Sequence, residues 1–358
     1  MAIEKIYIKT VNWVGDAVLV TPTIRAIRQR YPDAEITLMA RPWVAGVYDA
    51  NPDIDRLWVA EENKSLRHYR EIARRIRDEE FDLGISLPNS FGAALHMYLG
   101  KIKRRIGYKR DGRGILLTDP IPVTGQILKV HQVEYYLNLL QPLLDVEDQE
   151  RKLVLPVADD ARERLSERLE TRGISLDDNE RPLVGLCPGA AFGTAKRWYP
   201  DRFAAVADRL VEDWNARVVI VGSKSERPIG DEIQQLAKHE IDVLSGDMPL
   251  RELAALCEKL RLFVCNDSGA MHVAAACDAP VVAVFGSTDW ITTAPYHPDA
   301  IIVRRDNPCP DAPCLRRDCP YDHHICMHVV TVEDVQEACE KQLEKSVGPN
   351  PAKSEASQ

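Results

Sequence analysis

Short apolar runs rich in β-branched residues alternate with amphipathic stretches from the start of the chain. "IYIKT", "EITLMA", "RLWVA", "FDLGISL" and "RRIGY" read as strands, while "TPTIRAIRQRY" and "HYREIARRIRDEEF" space their apolar residues as helices do. Continuous apolar strands separated by helices predict parallel strand–helix units with helices on both faces of a sheet. A helical, charged stretch then runs from "HQVEYYLNLLQPLL" through "DDARERLSERLETRG", and the loop "ISLDDNERP" opens a second series. Strands "LVGLCPG", "ARVVIVG", "IDVLSG" and "LFVCN" alternate there with helices "PDRFAAVADRLVEDW", "SERPIGDEIQQLAK" and "LRELAALCEKL". The stretch "LFVCNDSGAMHVAAACDAPVVAVFGST" reads as a buried strand, a sharp turn, a short helix and a second buried strand.

The repetition predicts two α/β halves with Rossmann-like parallel sheets, residues 1–175 and 176–330. "TVEDVQEACEKQLEKS" is a last helix over 331–346, and 347–358 is a polar tail expected to be disordered. At 358 residues the chain exceeds what one core supports, which agrees with two domains. Two open α/β domains in tandem create a cleft, and such sheets bind ligands outside the carboxyl ends of their strands.

Charge and cysteines narrow the partners. The formal charge is −9, yet residues 1–150 hold 21 basic and 21 acidic residues, so the remainder carries all of it. That balance argues against nucleic acid and directs any anionic partner to the first half. No apolar run is long enough for a membrane helix and the N-terminus lacks a signal-peptide pattern, so a cytoplasmic protein is expected. Cys187, Cys257, Cys265 and Cys277 lie in apolar segments and read as inert core thiols.

Three groups of candidate residues follow strands. After the first, "VNWVGDAVLV" places Gly15 and Asp16 in a turn that lacks the G-x-G-x-x-G fingerprint of dinucleotide binders. Asp16 is either a helix cap or a general base able to take a proton from a hydroxyl nucleophile. In "GLCPGAAFGTAKRWYP" small residues allow close backbone approach, and Lys196 offers a point charge to a phosphate or is a solvated loop lysine. In "CNDSGAMHVAAA", Asp267, Ser268, Gly269 and Ala270 open a helix whose N–H groups and dipole favour an anion. His272 on that helix reads as a packing histidine as readily as a ligand. Glu226 suits a ribose hydroxyl or an exposed helix start.

"KTVNWVGDAVLVTPTIRAI", "PGAAFGTAKRWYP" and "NDSGAMHVAAACDAPVVAVFGST", in that order, resemble the heptosyltransferases of glycosyltransferase family 9, in particular the heptosyltransferase II type. The resemblance spans residues 3 to about 345 and implies a GT-B fold: two Rossmann-like domains facing across a cleft, the acceptor on the first and ADP-heptose on the second. It implies that the last helix crosses back to the first domain. It assigns Asp16 as catalytic base, Lys196 to the donor phosphates, Asp267, Ser268, Gly269, Ala270 and His272 to the donor turn, and Glu226 to the ribose or adenine. The chain departs from the family by placing Ala191 and Phe192 where others carry hydroxyl residues, which leaves backbone groups or Thr194 to make that loop's phosphate contacts.

The implied reaction is an inverting single displacement that requires no cofactor. Its acceptor is an anionic lipopolysaccharide inner-core precursor at the cytoplasmic face of the inner membrane, which places the protein peripherally there. In "KIKRRIGYKRDGR", residues 101–113, Lys103, Arg104 and Arg105 are expected to meet that acceptor or to form a solvated loop. Cys309, Cys314, Cys319 and Cys326 suggest a structural zinc or iron–sulfur cluster, although their spacing is looser than paired zinc ligands. Disulfides or reduced thiols are the alternatives. Rival functions are another sugar-nucleotide enzyme on this fold, such as a UDP-sugar 2-epimerase relative, and a non-catalytic nucleotide-sugar or metal-binding module.

Overall fold

The computed structural model describes residues 3–61, 65–176, 181–306, 309–321 and 323–348. It divides the chain into two compact units, Met1–Pro156 and Val157–Gln358. The first holds strands β1 (Lys5–Lys9), β2 (Glu35–Ala40), β3 (Arg56–Val59), β4 (Leu83–Ser86), β5 (Arg104–Tyr108) and β6 (Asp119–Ile121). They form one sheet in the order β3-β2-β1-β4-β5-β6, every pair parallel. Successive residues of a strand face opposite sides of its sheet, so the burial of Ile6, Tyr7 and Ile8 together means that both faces are covered.

The second unit repeats the plan with β7 (Leu183–Cys187), β8 (Arg217–Ile220), β9 (Asp242–Val243), β10 (Leu262–Asn266), β11 (Val281–Val284) and β12 (Ile301–Val303). Its order, β12-β11-β10-β7-β8-β9, is the same winding about a first strand, again all parallel. The predicted pair of doubly wound sheets is therefore present. The short edge strands β6 and β12 are additions to the sequence reading; each has three residues, and Pro120 interrupts β6.

Two expectations need correction. The units meet at 156/157 and not near 175, because the helix Asp159–Glu170 packs on the helix Leu250–Cys257 of the second unit. It buries Leu165 and Leu169 and adds ion pairs from Arg168 to Glu252 (2.6 Å) and from Arg251 to Asp160 (2.6 Å). The last helix, Val332–Val347, packs on its own unit's sheet instead of crossing back. Val335, Ala338, Cys339 and Leu343 join the core that contains Leu262, Val264, Val282 and Val284. Gln342 Nε2 donates to the Val281 and Asp299 carbonyls. The expected tail lies outside the described residues from 349 onward.

Candidate active site

In each sheet the winding reverses beside the central strand, so loops leaving the two flanking strands diverge and open a crevice at their carboxyl ends. In the second unit those strands are β7 and β10. Lys196 lies on the loop after β7 and Asp267 directly follows β10. Lys196 Nζ stands 2.7 Å from Asp267 Oδ2, and the two side chains are only 14% and 6% exposed. A buried Asn266 holds the two loops together: its Oδ1 accepts from Trp198 N (3.0 Å) and its Nδ2 donates to Pro188 O (2.7 Å). The cation and the carboxylate thus share a crevice that neither could reach from a freely moving loop.

Ser268, Gly269 and Ala270 are half-buried at the start of the helix Gly269–Ala276. The Ser268 side chain makes no cap hydrogen bond, so it does not occupy the first-turn N–H groups, which have no intrahelical partner. His272 is buried within the same helix. Glu226 is buried at the end of β8's loop, where its Oε2 accepts from Ser223 N (2.8 Å) and Ser223 Oγ (2.7 Å) in a capping box. A Cβ on Gly189 would lie 2.2 Å from Glu226 Oε1, so only glycine permits this approach of the β7 loop to that carboxylate. Burial, with the Glu226 charge behind it, pushes the neighbouring Cys187 thiol up to about 12.

In the first unit the equivalent reversal lies between β1 and β4. Asp16 occupies the first turn of the helix Val14–Leu19, immediately after β1, and is half-exposed. The buried Tyr136 hydrogen-bonds to its carboxylate; burial first, and then the Asp16 charge, raises that phenol far above its ordinary range. The phenol therefore stays protonated and donates. A buried Tyr48, hydrogen-bonded to Thr10, is raised by the same two causes. Arg113 is fully buried and ties the loop after β4 to the end of β5, donating to Tyr108 O (2.7 Å), Ser86 Oγ (3.2 Å) and Asn89 Oδ1 (3.0 Å). Burial pushes its guanidinium down to about 10.

Lys103, Arg104 and Arg105 are not brought to Asp16. They stand at the amino end of β5, whereas Asp16 follows the carboxyl end of a parallel strand. Each is also engaged: Lys103 with Asp82 (2.8 Å), Arg104 with Asp119 (2.8 Å) and Arg105 with the Leu116 carbonyl (2.7 Å). The basic residues beyond the carboxyl end of β5 are the exposed Lys109 and Arg110.

The family model described as "Glycosyltransferase family 9 (heptosyltransferase)" matches residues 69–325, more than half of the chain. The chain belongs to glycosyltransferase family 9. Among curated relatives, lipooligosaccharide heptosyltransferase 2 of Haemophilus influenzae is 30% identical over 315 residues, covering 82% of this chain and 86% of that protein. Lipopolysaccharide heptosyltransferase 2 of Salmonella typhimurium is 30% identical over 310 residues, covering 84% and 88%. The solved E. coli ADP-heptose lps heptosyltransferase II superposes with a TM-score of 0.80 at 27% identity, over 95% of this chain and 99% of that one. A family 9 structure from Veillonella parvula at 23% identity and TM-score 0.84 supports the fold. The protein is a glycosyltransferase with the GT-B arrangement of two parallel six-stranded sheets.

Family membership leaves the four clustered cysteines to be placed. Cys309, Cys314, Cys319 and Cys326 are free thiols that line one pocket together with His324. Burial, and then the charges of the other three, pushes the Cys326 thiol up to about 11. Among the described residues, no three His, Cys, Asp or Glu side chains stand where they could share a metal ion. No chemical step is routed through a metal there. Thr194 also departs from its expected role: its hydroxyl donates to Asp318 Oδ1 at 2.7 Å. Asn266, Tyr136, Tyr48 and Arg113 are the residues that sequence reasoning missed. Asn266 alone carried a signal, as a polar residue closing the apolar run "LFVC" beside a recognised turn.

Proposed function

We propose that the protein transfers heptose from ADP-heptose to the inner-core heptose of a lipopolysaccharide precursor by an inverting single displacement. The observation that carries this reading is the Lys196–Asp267 pair at the sheet's winding reversal, beside an uncapped helix start. A nucleotide-sugar is a diphosphate joined to a polyol, and the two halves of the pair suit its two parts. Lys196 and the N–H groups from Ser268 to Ala270 meet the diphosphate as charge develops on it. Asp267, released from the lysine, accepts from heptose hydroxyls. Glu226 Oε1, beside Gly189, suits a ribose hydroxyl.

In the first unit Asp16 takes the proton of the acceptor hydroxyl as its oxygen attacks the anomeric carbon, and ADP departs from the opposite face. Tyr136 holds the Asp16 carboxylate by donating to it, which orients the base. A positioned base contributes roughly 10²–10⁴-fold to a rate. The Asp16→Asn variant is expected to lose kcat by that order while still binding ADP; a folded variant within a few-fold of the parent refutes the assignment.

The acceptor is anionic, and the exposed Lys109 and Arg110 lie at the same end of the sheet as Asp16. They support its recognition better than Lys103, Arg104 and Arg105. Charge removal at Lys109 and Arg110 is expected to raise the acceptor KM and leave the donor KM alone, and the opposite pattern would displace the acceptor from this face. Among the described residues no helix is long and apolar enough to cross a membrane. That fits action at the cytoplasmic membrane face by peripheral contact.

A further inference from the structure

The loop that carries Lys196 is held by a segment that the reaction itself does not use. Three backbone groups and one side chain just before the lysine bond to the cysteine-rich segment. Ala195 N donates to Arg317 O (2.9 Å), Arg317 Nη1 donates to Phe192 O (3.1 Å) and Thr194 Oγ1 donates to Asp318 Oδ1 (2.7 Å). His324 Nε2 lies 2.9 Å from Ala195 O, a contact that requires the proton on that nitrogen, because a carbonyl only accepts. The Phe192 ring lies 5.0 Å from the Arg317 guanidinium and 5.1 Å from Lys196 Nζ, both within cation–π range.

Gly193 gives an independent sign of the same fit. A Cβ there would sit 2.0 Å from Arg317 O and 2.6 Å from its Cα, so the segment rests directly on the loop backbone. The Gly193 φ of 165° is ordinary extended backbone, so the glycine is needed for the close approach and not for its conformation. Ala195 also lines the pocket of the four thiols, which places those side chains against the lysine loop.

We propose that the segment from Cys309 to Cys326 is a clamp that positions Lys196 for the donor, with Arg317, Asp318 and Thr194 as its positioning residues. Its thiols, three of them half-buried, line one pocket with Ala195, and its backbone and side chains hold the lysine loop. The inference rests on the reading of Lys196 as the donor-phosphate residue. It accounts for a family departure as well: where relatives are expected to place loop hydroxyls on the donor, Thr194 is turned to the clamp.

The test measures KM for ADP-heptose, KM for the acceptor, kcat and thermal stability in Thr194→Val, Thr194→Ser, Asp318→Ala and Arg317→Ala, with Lys196→Ala alongside. The clamp predicts that Thr194→Val, Asp318→Ala and Arg317→Ala raise the donor KM about tenfold, below the roughly hundredfold that an ångström of misplacement can cost. The acceptor KM should hold, and Thr194→Ser should restore the parent value. Parent-like donor KM in all three folded variants overturns the clamp, as does an equal rise for both substrates, which marks general loosening. If Lys196→Ala itself leaves donor KM and kcat unchanged, the donor-loop reading fails first; if only Lys196→Ala is impaired, the clamp alone fails.

Discussion

Lys196 and Asp267 illustrate at the residue scale why charge in a crevice is held ready and not simply buried. Each would be costly alone in so enclosed a place, and each offsets the other. Removing one partner of such a pair leaves an uncompensated charge, at a cost of about 3–5 kcal/mol. Lys196→Ala should therefore lower stability by about that amount in chemical denaturation, and the double variant with Asp267→Asn should recover most of it. Absence of any recovery would mean that the two do not pair in solution. The sequence carried both residues as candidates, because each follows an apolar strand at a glycine-containing turn. It could not reveal the pair, since 71 positions separate them and only the β7–β10 neighbourhood joins them. Tyr136 was illegible for the same reason: its partner is Asp16, reached from a distant helix.

Among the elements, the helix Val332–Val347 shows what a hydrophobic pattern does and does not specify. Its period and its start at Thr331 were readable, and the structure adds a capping box in which Asp334 N donates to Thr331 Oγ1 and Thr331 N to Asp334 Oδ2. Its destination was not readable, because an apolar stripe fits any sheet face of suitable shape. Arg305 beside Asp334, together with the cap, holds that carboxyl below the usual carboxylate range. A depressed folded pKa means stabilisation that is fully present above the ordinary value near 4 and lost as pH falls through the lowered one. Asp334→Asn keeps an acceptor for the cap but loses the charge facing the exposed Arg305, so it should cost about 0.2–1 kcal/mol near neutral pH, with the deficit shrinking at pH 3 in urea titrations. A deficit that stays constant with pH would show that the carboxylate's charge contributes nothing. The basic stretch 101–113 does not act as one patch at this scale: β5 divides it, sending Lys103–Arg105 to one end of the sheet and Lys109–Arg110 to the other.

For the whole molecule, two parallel sheets with helices on both faces were the most legible feature, since ten of the twelve short strands could be read as apolar runs separated by helices, which leaves few alternatives for parallel pairing. The three ordered motifs fall where that winding predicts ligands, after β1, β7 and β10. Their placement supports a nucleotide-sugar transferase over a binding module, because Asp16 and Lys196, the proposed base and leaving-group cation, are both present. The nucleotide and the sugar decide the rest. Incubating the protein with ADP-heptose or a UDP-sugar and a monoheptosylated lipopolysaccharide acceptor, then reading the product by mass spectrometry, tests the central claim most directly. The expected result is an acceptor heavier by one heptose with ADP-heptose only, and almost none with Asp16→Asn; transfer from the UDP-sugar, or an unchanged acceptor with a folded protein, would contradict it.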